Sequence, residues 1–95
     1  MRKYEAAVIL KPHFEEEAAK VEFEKIQALI ARFGGNVEKV DIWGKRRLAY
    51  EIQKIREGIY CFITFAAEPT APVEIESRLR IMEEVLRYLI VCIDE

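Results

Sequence analysis

The clearest shortages in this 95-residue sequence are of cysteine, glycine and proline. Two cysteines, four glycines and three prolines are too few for a disulfide framework, a collagen repeat or a flexible linker. Cys61 and Cys92 stand singly in apolar runs, which is typical of small buried side chains rather than of a metal-binding pair. Because 52% of the residues are hydrophobic and 34% are charged, the composition predicts a single folded domain spanning residues 1–95.

Long hydrophobic runs are also missing. No apolar stretch approaches the ~20 residues that are needed to cross a bilayer. Near the N-terminus, the acidic Glu5 stands where a signal peptide would continue into an apolar segment. We therefore expect a cytoplasmic protein that does not contact a membrane.

A strong charge of either sign is missing too, because 15 basic residues are balanced by 17 acidic ones and the net charge is −2. This balance argues against a free-standing nucleic-acid binder that relies on charge alone. The basic residues are nevertheless clustered, which predicts basic surfaces on a slightly acidic domain. The clusters are Arg2-Lys3, Lys45-Arg46-Arg47, Lys54 with Arg56, and Arg78 with Arg80 and Arg87.

Patterns that carry catalytic chemistry are scarce in the sequence. The single histidine, His13, has no serine, aspartate or cysteine spaced to make it a catalytic base. Neither a metal-ligand spacing nor a glycine-rich phosphate loop occurs. We therefore expect a protein that is not an enzyme and that uses no cofactor, metal ion or small-molecule substrate.

What the sequence does contain is a series of six periodic segments. Alternating apolar residues predict a first strand over residues 3–10. Apolar residues at helical spacing predict a helix over residues 15–33, opened by glutamates and ended by Gly34-Gly35. A second strand is predicted over residues 37–52 with a bulge at Gly44, followed by a polar hairpin connection over residues 53–58.

The remaining segments complete a βαββαβ order. A third strand is predicted over residues 59–67, a short helix begins at Pro72, and a last strand covers residues 85–93. Right-handed crossovers and a shared core lead this order to an α+β, ferredoxin-like fold. In that fold a four-stranded antiparallel sheet carries both helices on one face, and its first and third strands are central.

Two helices can cover only one face of such a sheet, yet the third and fourth strands are apolar on both faces. We expect Cys61, Ile63 and Phe65, together with Leu86, Tyr88, Ile90 and Cys92, to face the helices. The residues that then point away are Ala7 and Ile9, Tyr60, Phe62, Thr64 and Ala66, and Arg87, Leu89, Val91 and Ile93. An exposed apolar patch of this size predicts a binding surface.

The kind of partner is left open by these patterns. Residues 60–65 resemble the aromatic strand of the RNA-recognition motif, in which Tyr60 and Phe62 would stack on bases, although the first strand has no matching aromatic residue. An autonomous binder of single-stranded RNA is therefore one alternative. A homo-oligomeric regulatory domain whose open sheet faces pair between copies is another.

The run Lys45-Arg46-Arg47 also has two interpretations. Beside Trp43 and the predicted bulge at Gly44, its cations suit a phosphate backbone, because arginine forks match phosphate oxygens. Equally, a charged run on an exposed strand deters edge-to-edge aggregation. Spacing alone does not separate the two interpretations.

Several stretches together resemble the bacterial small-subunit ribosomal protein six family, in order and over nearly the whole chain. These stretches are residues 1–5, residues 37–40 followed by residues 43–54 (Trp-Gly-Lys-Arg-Arg-Leu-Ala-Tyr-Glu-Ile-Gln-Lys), Leu79-Arg80, and residues 85–91 (Val-Leu-Arg-Tyr-Leu-Ile-Val).

The resemblance implies a structural component of the small ribosomal subunit. It implies binding to the central domain, or platform, of the small-subunit ribosomal RNA together with small-subunit ribosomal protein eighteen. By position, the RNA contacts expected first are Arg2, Lys3, Arg46 and Arg87, followed by Lys45, Arg47 and Lys54. The residues expected to contact the protein partner are Ile9, Tyr60, Phe62, Leu89 and Val91.

Overall fold

The computed structural model describes residues 1–94. Its elements are β1 (Arg2–Leu10), α1 (Glu16–Arg32), β2 (Asn36–Ile52), β3 (Ile55–Ala67), α2 (Ala71–Leu79) and β4 (Val85–Cys92). The strands form one antiparallel sheet in the order β2-β3-β1-β4, with β1 and β3 in the centre. The predicted ferredoxin-like βαββαβ fold is therefore confirmed.

The hydrophobic core lies between the helices and one face of the sheet. The predicted helical stripes are buried, with Ala19, Phe23, Ile26 and Ile30 from α1 and Ile75 and Leu79 from α2. Alternate residues of the central strands meet them, namely Ala6, Val8 and Leu10 from β1 and Cys61, Ile63 and Phe65 from β3. Because burying one large apolar side chain stabilises a protein by about 1.5–3 kcal/mol, this single layer is the main source of stability.

Helix α1 begins and ends at the residues that its sequence signals indicate. Glu16 and Glu17 occupy the first turn, where the helix dipole favours negative charge. At the other end Gly34 adopts a φ of +84°, which costs glycine little because it has no Cβ. The Gly34 N–H donates to the Ala31 carbonyl at 3.0 Å and the Gly35 N–H donates to the Ile30 carbonyl at 2.9 Å, so the last carbonyls of the helix are paired.

The predicted polar connection over residues 53–58 is wrong in length. The hairpin turn consists of Gln53 and Lys54 alone, with φ values of 51° and 65°, and β3 begins at Ile55. Two consecutive left-handed residues are the backbone of a tight hairpin turn, in which glycine or asparagine is usual. Because neither residue occurs here, the sequence carries no signal for this turn, and the predicted start of β3 is four residues too late.

Strand β2 has a small irregularity in its pairing at Glu38 and, farther along, two bulges, of which one is the predicted bulge and the other is larger. At the first, Ile42 pairs with Cys61 and Gly44 pairs with Tyr60, so Trp43 is the extra residue and Gly44 has a φ of +83°. At the second, residues 48–51 lie opposite Arg56 alone. Since extra residues on one strand bend and twist a ladder, the second bulge redirects the end of the β2–β3 hairpin.

The expected inward orientation of Leu86 and the expected burial of Cys92 are also wrong. Leu10 pairs with Val85 and Ile9 pairs with Arg87, so Leu86 is a bulge residue and Val85 packs against the core in its place. Cys92 is exposed because it lies at the end of an edge strand, which has a neighbour on one side only. Tyr88 and Ile90 do pack against the core, as predicted.

Cys61 is fully buried in the core, as its apolar context predicts. Burial raises the pKa of its thiol to about 12, with a smaller contribution from the charge of Asp41, so the side chain is a neutral thiol at physiological pH. Within residues 1–94, neither helix is long and apolar enough to cross a membrane. The same residues include no cluster of three or more His, Cys, Asp or Glu side chains arranged for a metal ion.

Candidate partner-binding face and basic surfaces

The face of the sheet that points away from the helices is built from rows of residues that cross all four strands. Strand register places Leu89, Ala7, Phe62 and Asp41 side by side in one row. The neighbouring rows are Arg87, Ile9, Tyr60 and Gly44 on one side and Val91, Glu5, Thr64 and Lys39 on the other. We call this surface the open face.

The centre of the open face is apolar and accessible. Leu89 is 54% exposed and Val91 is 41% exposed, whereas Ile9, Tyr60 and Phe62 are partly buried by their neighbours within the sheet. Charged residues such as Glu5 and Lys39 lie toward one end. The sheet therefore brings together all five residues predicted to contact a protein partner, in an apolar centre with polar margins, as in many protein interfaces.

Trp43 belongs to the open face, although sequence reasoning grouped it only with the basic run that follows it. Its ring lies 4.6 Å from the ring of Phe62 and 6.4 Å from that of Tyr60, measured between centroids. The indole Nε1–H donates to Asp41 Oδ2 at 3.1 Å, which fixes the side chain in place. Alternation from the inward-facing Val40 would have assigned Trp43 to this face, so the signal was present in the sequence.

The seven residues predicted to contact RNA fall into two groups at opposite ends of the sheet. Arg2 and Lys3 lie where β1 begins, and the remaining five lie near the end of β1 and beyond it, at Lys45, Arg46, Arg47, Lys54 and Arg87. With a rise of ~3.4 Å per residue, the length of β1 separates the two groups by roughly 20 Å.

The N-terminal group is tied to neighbouring side chains. Lys3 Nζ lies 3.6 Å from Glu38 Oε1, and the Lys3 backbone N–H donates to Asp94 Oδ2 at 2.9 Å. Arg2 Nη1 lies 3.9 Å from Cys92 Sγ. Because Lys3 and its acidic partner are both solvent-exposed, this ion pair is weak and leaves the lysine available to a stronger anion.

Members of the second group point in different directions. Lys45 pairs with the buried Ile59 and lines an open groove of about 680 Å³ between β2 and the start of α1, on the helical side of the sheet. Arg46 pairs with Gly58, in register with the open face. Lys54 is in the hairpin turn, and Arg87 donates a hydrogen bond to the Tyr50 hydroxyl. The basic run is thus divided between two faces.

The architecture is that of a ferredoxin-like α+β domain with one sheet face that the helices leave uncovered. The model of the ribosomal protein S6 family matches residues 3–92. Small ribosomal subunit protein bS6 of Clostridium beijerinckii is 50% identical over 91 residues, which are 96% of each chain. The bS6 protein of Clostridium acetobutylicum is 42% identical over the full length of both chains.

A solved structure supports the same assignment. The crystal structure of 30S ribosomal protein S6 from Thermotoga maritima superposes with a TM-score of 0.89 and 33% identity, covering 96% of this chain and 86% of that one. The P2 domain of a chemotaxis kinase, solved with its response regulator, reaches a TM-score of 0.54 at 12% identity and so shares the fold alone. This chain belongs to the ribosomal protein S6 family.

The assignment of the two sheet faces predicts a contrast between two valines. Val8→Ala should lower the free energy of unfolding by about 2 kcal/mol, because Val8 is 1% exposed and its loss leaves a cavity. Val91→Ala makes the same chemical change on the open face. It should lower the free energy of unfolding by less than about 1 kcal/mol, mainly because alanine has a lower strand propensity than valine. Urea unfolding of both variants measures the difference, and equal losses would show that the open face belongs to the core.

Proposed function

We propose that this chain is a structural component of the small ribosomal subunit, and that it binds the central domain of the small-subunit ribosomal RNA together with small-subunit ribosomal protein eighteen. Membership of the S6 family supports the ribosomal role. The observation that supports separate surfaces for protein and for RNA is the open face. An apolar patch without strong charge suits a protein partner better than RNA.

In this proposal the protein partner covers the centre of the open face. Tyr60, Phe62, Leu89, Val91 and Ile9 supply the apolar contacts, and we add Trp43 because its ring packs on Phe62. Aromatic residues near the middle of an interface usually contribute most of the binding energy. The function is structural and needs no catalysis.

RNA is bound at the margins of the face. Arg2 and Lys3 at one end and Arg46, Arg47 and Lys54 at the other are exposed, so they can approach phosphates on either side of the bound protein partner. Lys45 points to the helical side and would contact a different RNA segment. Because the net charge of −2 adds little general attraction, RNA affinity depends on the partner being present.

The first prediction of the proposal is cooperative binding. The affinity of this protein for the platform RNA should be at least about tenfold higher with protein eighteen than without it, measured by filter binding at fixed salt. Phe62→Ala should remove most of that gain by weakening the protein–protein contact. Val73→Ala, on the exposed side of α2, is the matched control and should leave the gain intact.

Equal affinities with and without protein eighteen would refute cooperative binding. Tight binding of short single strands by the protein alone, lost in a Tyr60→Ala/Phe62→Ala variant, would favour the autonomous RNA-binding alternative. A tight dimer at low concentration in sedimentation would favour the homo-oligomeric one. The last two results would each identify a different occupant of the open face.

A second prediction concerns the phosphate contacts of Arg46 and Arg47. The slope of log affinity against log salt concentration reports how many counterions are released on binding, about 0.7–0.9 for each phosphate that is neutralised. In the complex with protein eighteen, Arg46→Ala/Arg47→Ala should therefore reduce the slope of log affinity against log salt concentration by up to about 2. Arg80→Ala removes an exposed cation at the end of α2 and should not alter the slope; an unchanged slope in the double variant would exclude both arginines as phosphate contacts.

A further inference from the structure

The end of the β2–β3 hairpin extends past the rest of the sheet. Pairing between β1 and β3 ends at Leu10 and Ile59, so residues 46–58 have no third strand beside them. We call these residues the hairpin arm. A two-stranded hairpin is marginally stable by itself in water, so contacts with the body of the protein are needed to hold the arm in one orientation.

The arm bends toward the open face. Residues 48–51 bulge out opposite Arg56, and Glu51 Oε2 lies 3.5 Å from Arg56 Nε across the bulge. At the base of the arm, a Cβ on Gly58 would collide with Ile9 Cγ2 and would lie 3.6 Å from Leu48 Cδ2. Ile9 of β1 therefore packs directly against the backbone of Gly58, and Leu48 lies close to the same position.

A second contact lies farther along the arm. Tyr50, two residues after Leu48, meets Arg87 of β4, although β3 and β1 lie between β2 and β4 in the sheet. Arg87 Nη1 donates to the Tyr50 hydroxyl, and the guanidinium carbon lies 5.5 Å from the centre of the Tyr50 ring. The arm thus reaches across one end of the open face to the opposite edge strand.

We propose that Arg87 is a positioning residue that holds the hairpin arm in place through Tyr50, rather than a direct phosphate contact. We call the Arg87–Tyr50 contact the clasp. One nitrogen of its guanidinium donates to the tyrosine hydroxyl, and its charge lies near the tyrosine ring. The contact holds in place the arm that carries Arg46, Arg47, Lys54 and Arg56, so each of these cations is already positioned before RNA arrives. Pre-ordering removes the entropic cost of fixing the arm during binding. The effect on RNA affinity rests on the function proposed above; the clasp itself does not.

The clasp is tested first in the protein without RNA. Deuterium uptake of peptides covering residues 45–58 should rise about two- to fivefold in both Arg87→Ala and Tyr50→Ala, because an exposed cation–aromatic contact is lost in each. Arg80→Ala, which removes an exposed arginine elsewhere, should match the wild type. Unchanged uptake in both clasp variants would overturn the proposal, even if RNA binding is never observed.

A second measurement is the affinity for platform RNA of the complex with protein eighteen. Tyr50→Ala removes no charge, so a direct contact between Arg87 and phosphate predicts wild-type affinity for that variant. The clasp instead predicts a loss in Tyr50→Ala similar to that in Arg87→Ala, and no further loss in the double variant. Wild-type affinity in Tyr50→Ala with reduced affinity in Arg87→Ala would overturn it. If the wild-type complex does not bind the RNA, the proposed function fails and the exchange result still decides the clasp.

Discussion

Two helices can cover only one face of a four-stranded sheet, and the other features of this molecule follow from that constraint. The covered face is filled by the alternate residues of β1 and β3 that meet the stripes of α1 and α2. The strands nevertheless carry Phe62, Leu89 and Val91 on the other side, where residues 1–94 form no further layer to bury them. Because these side chains add little to the core, their apolar character is what the proposed protein partner would account for.

The seven basic residues predicted to contact RNA lie outside the apolar centre of the open face. They are placed at the two ends of the sheet and on the hairpin arm. An interface with an apolar centre and charged margins allows a protein partner and RNA to be bound side by side. The Arg87–Tyr50 contact links the two regions, because it joins a strand of the open face to the arm that presents Arg46 and Arg47.

Much of the fold could be predicted because it depends on local periodicity. The apolar stripe from Ala19 to Ile30, the Gly34 helix stop and the bulge at Gly44 each depend on a few neighbouring residues.

The predictions that failed concern features without such a local signal. Gln53 and Lys54 adopt left-handed conformations without being glycine or asparagine, and the bulge at Leu86 follows from how β4 pairs with β1. The meeting of Arg87 and Tyr50 joins residues 37 positions apart and requires the fold itself. The residues of the open face were grouped correctly because alternation is strict in β3, whereas the basic run could not be divided between two faces without the register of β2.

In the proposed function the open face, and not the helical side, receives the protein partner. Methyl NMR of the labelled chain, titrated with small-subunit ribosomal protein eighteen, distinguishes the two surfaces. We expect the resonances of Ile9, Leu89 and Val91 to shift or broaden on binding, while those of Val21 and Val73 on the exposed sides of the helices stay in place. Perturbation confined to Val21 and Val73, with the methyl groups of the open face unchanged, would contradict it.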